Sequence, residues 1–237
     1  MLHVYAVTDP EPRPPAVAGV DGAPVATLAQ GGLAVAYSRH ATAPSPPSPE
    51  TALVHARVCD DLLAQGLAVL PVRYGTRYAD EAALREGVAE RRQALGARLD
   101  AVRGHVELGL RVLWTPHPDD VEPDGVAVED GGPGRAYLLR RVAQEQQRQR
   151  RREAAEAAAA QVHDPLAAAA REARSEVLAT PRLLLSASYL VPRHGVDAFR
   201  ALVEDMAAAH PDLDVLCTGP WPAYSFGDEP REPRSPV

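Results

Sequence analysis

Aromatic side chains are scarce in this chain, at 5% of 237 residues with two tryptophans and two phenylalanines, so any local cluster of rings calls for a reason. Cysteine is scarcer still. Cys59 and Cys217 lie far apart among apolar neighbours, which excludes a disulfide-stapled scaffold and suggests two buried, reduced thiols. No apolar run reaches the length of a membrane-spanning helix, and the opening MLHVYAV lacks the basic stretch of a secretory signal. A cytoplasmic protein is the expectation. Basic charge is in deficit, with 25 basic against 32 acidic residues and a net charge of −7, which argues against wholesale binding of nucleic acid or a membrane surface. Phosphate-binding glycine loops, GxSxG, HExxH and CxxC are all missing, so the common catalytic and cofactor signatures are excluded and no cofactor or metal is expected.

What is present is enough for a core: 46% of the residues are hydrophobic and 24% charged, the balance of a soluble globular fold. LHVYAVT (2–8) reads as a first strand. PVATLAQ and GLAVAYS flank Gly31-Gly32, the pattern of a hairpin. Ser48-Pro49-Glu50 supplies a cap, a first-turn proline and an acid for a helix whose stripe is Val54, Val58 and Leu62. LAVLPVRY (67–74) predicts a strand. Asp80 caps a second helix with the stripe Leu84, Val88, Leu95, Leu99 and Val102, ending at Gly104. HVELGLRVLW (105–114) predicts a longer strand, and 115–133 a loop. Residues 134–161 read as a long helix, restarting at Asp164-Pro165 and running to about Leu178. RLLLSASYLV (182–191) predicts a strand, Val196–Met206 a helix and LDVLCT (213–218) a last strand.

The order is α+β in two small domains. Residues 1–103 form an N-terminal α+β domain, and 104–227 a ferredoxin-like domain carrying a long helical insertion. The charged, Pro-rich 228–237 reads as a disordered tail.

Candidate chemistry is thin. His55 and Cys59 stand at i, i+4 on one helix, but two ligands do not make a metal site, and a histidine beside a buried thiol is the plainer account. HPDD (117–120) reads as a solvated turn and His210 as a helix end. RQRRR (148–152) is the one basic cluster. With Glu145, Glu153 and Glu156 close by it reads as a solvated face laced with ion pairs, and otherwise as a docking surface for an acidic partner. No aromatics interleave with these arginines, against single-stranded nucleic acid. An enzyme on a ferredoxin-like scaffold is the alternative function; it needs a polar pocket of perturbed titratable groups, for which His55, Glu107 and His210 are the candidates.

Several segments together carry a resemblance. LVHARVCDDLL (53–63), VLPVRYGTRYADEAAL (69–84), VELGLRV (106–112), GRAYLLRR (134–141), SASYLVPRHGVDAFRALVEDM (186–206) and LDVLCTGPWPAYSF (213–226) resemble, in order, the gas vesicle accessory family of the GvpL/GvpF type. Tyr74 stands where that family usually has Phe, and Ser186-Ala187-Ser188 replaces an Asn-containing strand start. The resemblance implies two α+β units, one a modified ferredoxin-like domain. It also implies a non-catalytic, gas vesicle-associated assembly protein, whose partners are the hydrophobic main shell protein and other accessory proteins.

TGPWPAYSF (218–226) concentrates three of the scarce rings. Pro220 and Pro222 remove backbone donors and hold the segment extended. It is either a clasp that packs its rings back on the fold or a rigid platform that offers some of them to an apolar partner, and the two are compatible. The expected partner-binding residues are Trp221, Tyr224 and Phe226, with Arg73 and Tyr74 of the LPVRYGT strand end.

Overall fold

The computed structural model describes residues 1–115, 133–178, 180 and 182–227. The expected loop after Thr115, with its HPDD turn, and the expected tail 228–237 lie outside the described residues. Packing divides the chain into two compact units. The first holds Met1–Leu108, Leu190–His194 and, among the described residues, 219–227; the second holds Gly109–Tyr189 and Gly195–Thr218.

The first unit is built around β1 (Leu2–Thr8), every residue of which is buried. β2 (Val25–Gln30) and β3 (Leu33–Arg39) form the expected hairpin, closed by Gly31-Gly32 with φ of 61° and 83°, a conformation glycine adopts without strain. β3 pairs antiparallel with β1. On the other side of β1, the expected strand 67–74 is shorter, β4 (Val69–Pro71), and a two-residue strand that was not expected, β5 (Arg77–Tyr78), follows it beside β1. Between them Arg73–Thr76 turns out of the ladder, with the Thr76 N–H donating to the Arg73 carbonyl at 3.1 Å.

Helix α1 (Pro49–Ala64) starts as its sequence requires. Ser48 Oγ accepts from the Thr51 N–H at 3.2 Å, and Thr51 Oγ1 accepts from the Ser48 N–H at 2.9 Å, a reciprocal cap. It buries His55, Val58, Cys59, Leu62 and Leu63, while Val54 of the expected stripe is half-buried. At its far end the Arg193 guanidinium donates to the carbonyls of Leu63 (3.0 Å) and Leu67 (2.6 Å), supplying positive charge where carbonyls lack partners.

The single helix expected over 81–102 is two, α2 (Glu81–Glu90) and α3 (Arg92–Val102), broken at Arg91. A continuous helix would carry Arg91 and Arg92 on the same face as Leu84, Val88 and Leu95; the break leaves both arginines exposed while Leu84, Val88, Leu99 and Val102 are buried. One core gathers these residues with Leu2, Val35, Leu70, Ala223 and Phe226.

Gly19 marks a tight point in this unit. A methyl group there would fall 2.1 Å from the Tyr5 hydroxyl. That hydroxyl is fixed, accepting from the Val20 N–H at 2.8 Å and bonding Ser38 Oγ at 2.7 Å. Gly19→Ala is expected to cost about 2 kcal/mol by overpacking, read as a lowered urea midpoint at unchanged slope.

The second unit contains β6 (His105–Trp114), α4 (Pro133–Ala169), β7 (Glu172–Val177), β8 (Leu183–Pro192), α5 (Val196–Ala209) and β9 (Leu213–Trp221), and three of these strands continue into residues of the first. The sheet order is β7-β8-β6-β9. Strand–helix–strand–strand–helix–strand in this order is the ferredoxin-like arrangement. The sequence reading supplied three of its four strands; it ran the helix to Leu178, over β7. The Ala-rich stretch favours helix locally, but α4 ends at Ala169, and the Leu178 N–H donating to the Leu184 carbonyl at 2.8 Å closes a β7–β8 hairpin. Nor does Pro165 restart a helix: α4 runs through it, with the ring on the exposed side. Ala155, Ala159, Val162 and Leu166 recur at helical spacing as its buried stripe.

Candidate functional site

TGPWPAYSF is held at fixed points within the first unit. Gly219 has φ of +107° and lies against β6, so a side chain there would meet the Glu107 carbonyl at 2.7 Å. Only glycine combines that backbone angle with that approach. Pro220 and Trp221 complete β9, an edge strand, where missing backbone donors are tolerated. Pro222 and Ala223 are buried. Beyond them the Glu107 carboxylate, itself buried, grips Ser225 twice: Oε2 accepts from its N–H at 2.7 Å and Oε1 from its hydroxyl at 2.6 Å. These are charge-assisted hydrogen bonds away from solvent. Phe226 is 7% exposed and belongs to the core.

The rings therefore divide. Phe226 anchors the segment, whereas Trp221 and Tyr224 remain 42% and 41% exposed. Tyr224 keeps one fixed end, its hydroxyl paired with the Cys59 thiol on α1. Burial pushes that thiol up to about 12, so it stays protonated and unreactive near neutral pH. Burial, and then the thiol, also raise the Tyr224 hydroxyl.

One turn earlier on α1 is His55. Its Nε2 lies 3.1 Å from the Val72 carbonyl and its Nδ1 3.1 Å from His3 Nε2. A carbonyl only accepts, so His55 Nε2 carries a hydrogen; the neutral ring then accepts at Nδ1 from the His3 N–H. His3 Nδ1 is left buried with no hydrogen-bond partner. Both rings are held near a pKa of about 4, chiefly by burial and, for His3, by the neighbouring His55. Tyr74 leans on both rings, at centroid distances of 5.1 and 5.6 Å, and its hydroxyl donates to the Ser45 carbonyl at 2.9 Å. Arg73 is exposed beside it.

His55 and Cys59, four residues apart, are thus the α1 positions that receive Tyr74 and Tyr224. Their ligand atoms are engaged in hydrogen bonds, and the described residues contain no cluster suited to a metal. Two of the three enzyme candidates are likewise engaged through their side chains. His55 and Glu107 are buried and bonded as above, and His210 is the C-cap residue of α5 in the second unit, its backbone N–H on the Ala207 carbonyl. The Glu107 clamp was not legible in the sequence. Its only trace was a carboxylate on the interleaving face of VELGLRV, between Val106 and Leu108.

An α+β protein of two units, one ferredoxin-like, with an aromatic segment clamped along a sheet edge, is the class defined by these features. The chain matches, over residues 1–228, the family described as "Gas vesicle synthesis protein GvpL/GvpF". It is 27% identical to gas vesicle protein F1 of Halobacterium salinarum over 96% of this chain and 92% of the relative. It is 28% identical to gas vesicle protein L of a Streptomyces species over 95% and 92%. The crystal structure of GvpF from Anabaena shares the fold, with a TM-score of 0.76 at 17% identity over 99% of this chain and 98% of that one. The chain belongs to the GvpL/GvpF family of gas vesicle proteins and has an accessory role in gas vesicles. Among the described residues no helix is long and apolar enough to cross a membrane.

Proposed function

We propose that this chain is a non-catalytic assembly factor that binds the hydrophobic main shell protein, with or without other accessory proteins, limiting its aggregation and promoting vesicle formation. The observation that carries this reading is the clamped segment: Trp221 and Tyr224 are exposed on a backbone whose two ends are fixed by Gly219, Glu107 and Phe226. A ring on rigid backbone loses little entropy when a partner covers it, which suits it to anchor an apolar surface. Phe226 contributes by holding the platform rather than by touching the partner. At the β4–β5 turn exposed Arg73, beside half-buried Tyr74, supplies a second margin.

The test is retention of purified shell protein by the immobilised chain, wild type against Trp221→Ala, with circular dichroism on both. Retention should fall about tenfold in the variant at unchanged fold. Equal retention would make the segment a clasp only, and failure of both to retain shell protein would remove direct shell binding.

A further inference from the structure

The basic cluster of α4 is not used by the clamped segment, and its setting is unusual. α4 spans 37 residues, about 55 Å. Its buried stripe begins only at Ala155. In the preceding turns, every side chain described from Tyr137 to Ala154 is exposed. That stretch is nonetheless not a purely polar helix. Tyr137, Leu138, Leu139 and Val142 are exposed together, Leu138 by 62%. At 100° per residue, Tyr137, Leu138, Arg141 and Val142 share one side over two turns, and Arg152 continues it. Residues 133–152 hold seven arginines against one glutamate, Glu145, in a chain of net charge −7. Arg152 is paired with Glu156 at 2.9 Å, and Arg141 and Arg150 are exposed.

We infer that this half of α4 is a second docking surface, distinct from the aromatic segment, and that its occupant is an acidic amphipathic helix of a partner protein. Apolar side chains of the occupant cover Tyr137, Leu138 and Val142. Its carboxylates meet the arginines, which present planar donors suited to bidentate pairing. Charge complementarity selects this occupant: a second copy of this chain would bring the same arginines against themselves, and a nucleic acid would leave the leucines and valine uncovered.

The probe is a fluorescein-labelled synthetic helix with leucine at its a and d positions and glutamate elsewhere, titrated with the full-length chain by anisotropy. The controls are a scrambled peptide of the same composition, a leucine–lysine counterpart and a DNA duplex. The wild type should bind the leucine–glutamate helix at least about tenfold tighter than any control, and weaken in high salt. Leu138→Ser/Val142→Ser and Arg141→Glu/Arg152→Glu should each weaken it about tenfold; all four side chains are exposed, so folding is unaffected. Trp221→Ala should leave this binding unchanged, which separates the surface from shell binding. Equal binding of the scrambled peptide, preference for DNA, no effect of either double variant, or concentration-dependent dimerisation lost on Leu138→Ser/Val142→Ser would each overturn the assignment.

Discussion

Glu107→Ala is expected to destabilise the first unit by about 3 kcal/mol and to release the aromatic segment. Two charge-assisted hydrogen bonds disappear, and the Ser225 N–H loses its partner. Ser225→Ala removes only the hydroxyl bond and should cost about 1 kcal/mol. Urea titration gives both values. Release is read separately, from Trp221 fluorescence in a Trp114→Phe background, which should become more solvent-exposed and mobile in Glu107→Ala. The shell binding proposed above should then weaken even though both exposed rings are still present, because a mobile segment must be ordered on binding. Wild-type stability and fluorescence in Glu107→Ala would show that Gly219 and Phe226 hold the segment unaided.

The buried histidines predict a marked loss of stability in mild acid. Their folded-state values, about 4, lie below the ordinary 6.5, so the unfolded chain binds more protons between these limits. The stabilisation is complete above about 6.5 and falls away as the pH approaches 4, by on the order of 3 kcal/mol per ring. A proton on His55 Nδ1 would set two N–H groups against each other. One on His3 Nδ1 would place a charge in a buried site faced by His40, Arg77, Tyr5 and Tyr74, with the Asp21 carboxylate acting weakly in its favour. Urea midpoints from pH 7.5 to 4 measure the slope. The double variant His3→Leu/His55→Leu should flatten it whatever its absolute stability, and an unchanged slope would assign the acid sensitivity to carboxylates.

Local signals served well where one residue type has one physical use. Ser48 and Asp80 cap the helices they precede, Gly31-Gly32 turns the hairpin, and the alternation in HVELGLRV faces β6 inward. They misled where burial competes with propensity. The stripe from Leu84 to Val102 fits one helix until Arg91 and Arg92 are asked to enter the core. The alanine run favours helix past residue 169, but pairing with β8 makes 172–177 a strand.

The sequence by itself determined the α+β class and the family resemblance and singled out TGPWPAYSF as a stiff, ring-rich segment, because capping, alternation and proline stiffness act within a few residues. Which rings of that segment face solvent was decided only by the tertiary structure. Phe226 is buried and Trp221 is not because Glu107, 118 residues from Ser225, fixes where the chain turns. The histidine pair was settled the same way. His3 and His55 meet only when α1 packs on β1, and burial, a property of the assembled core, is what keeps them neutral.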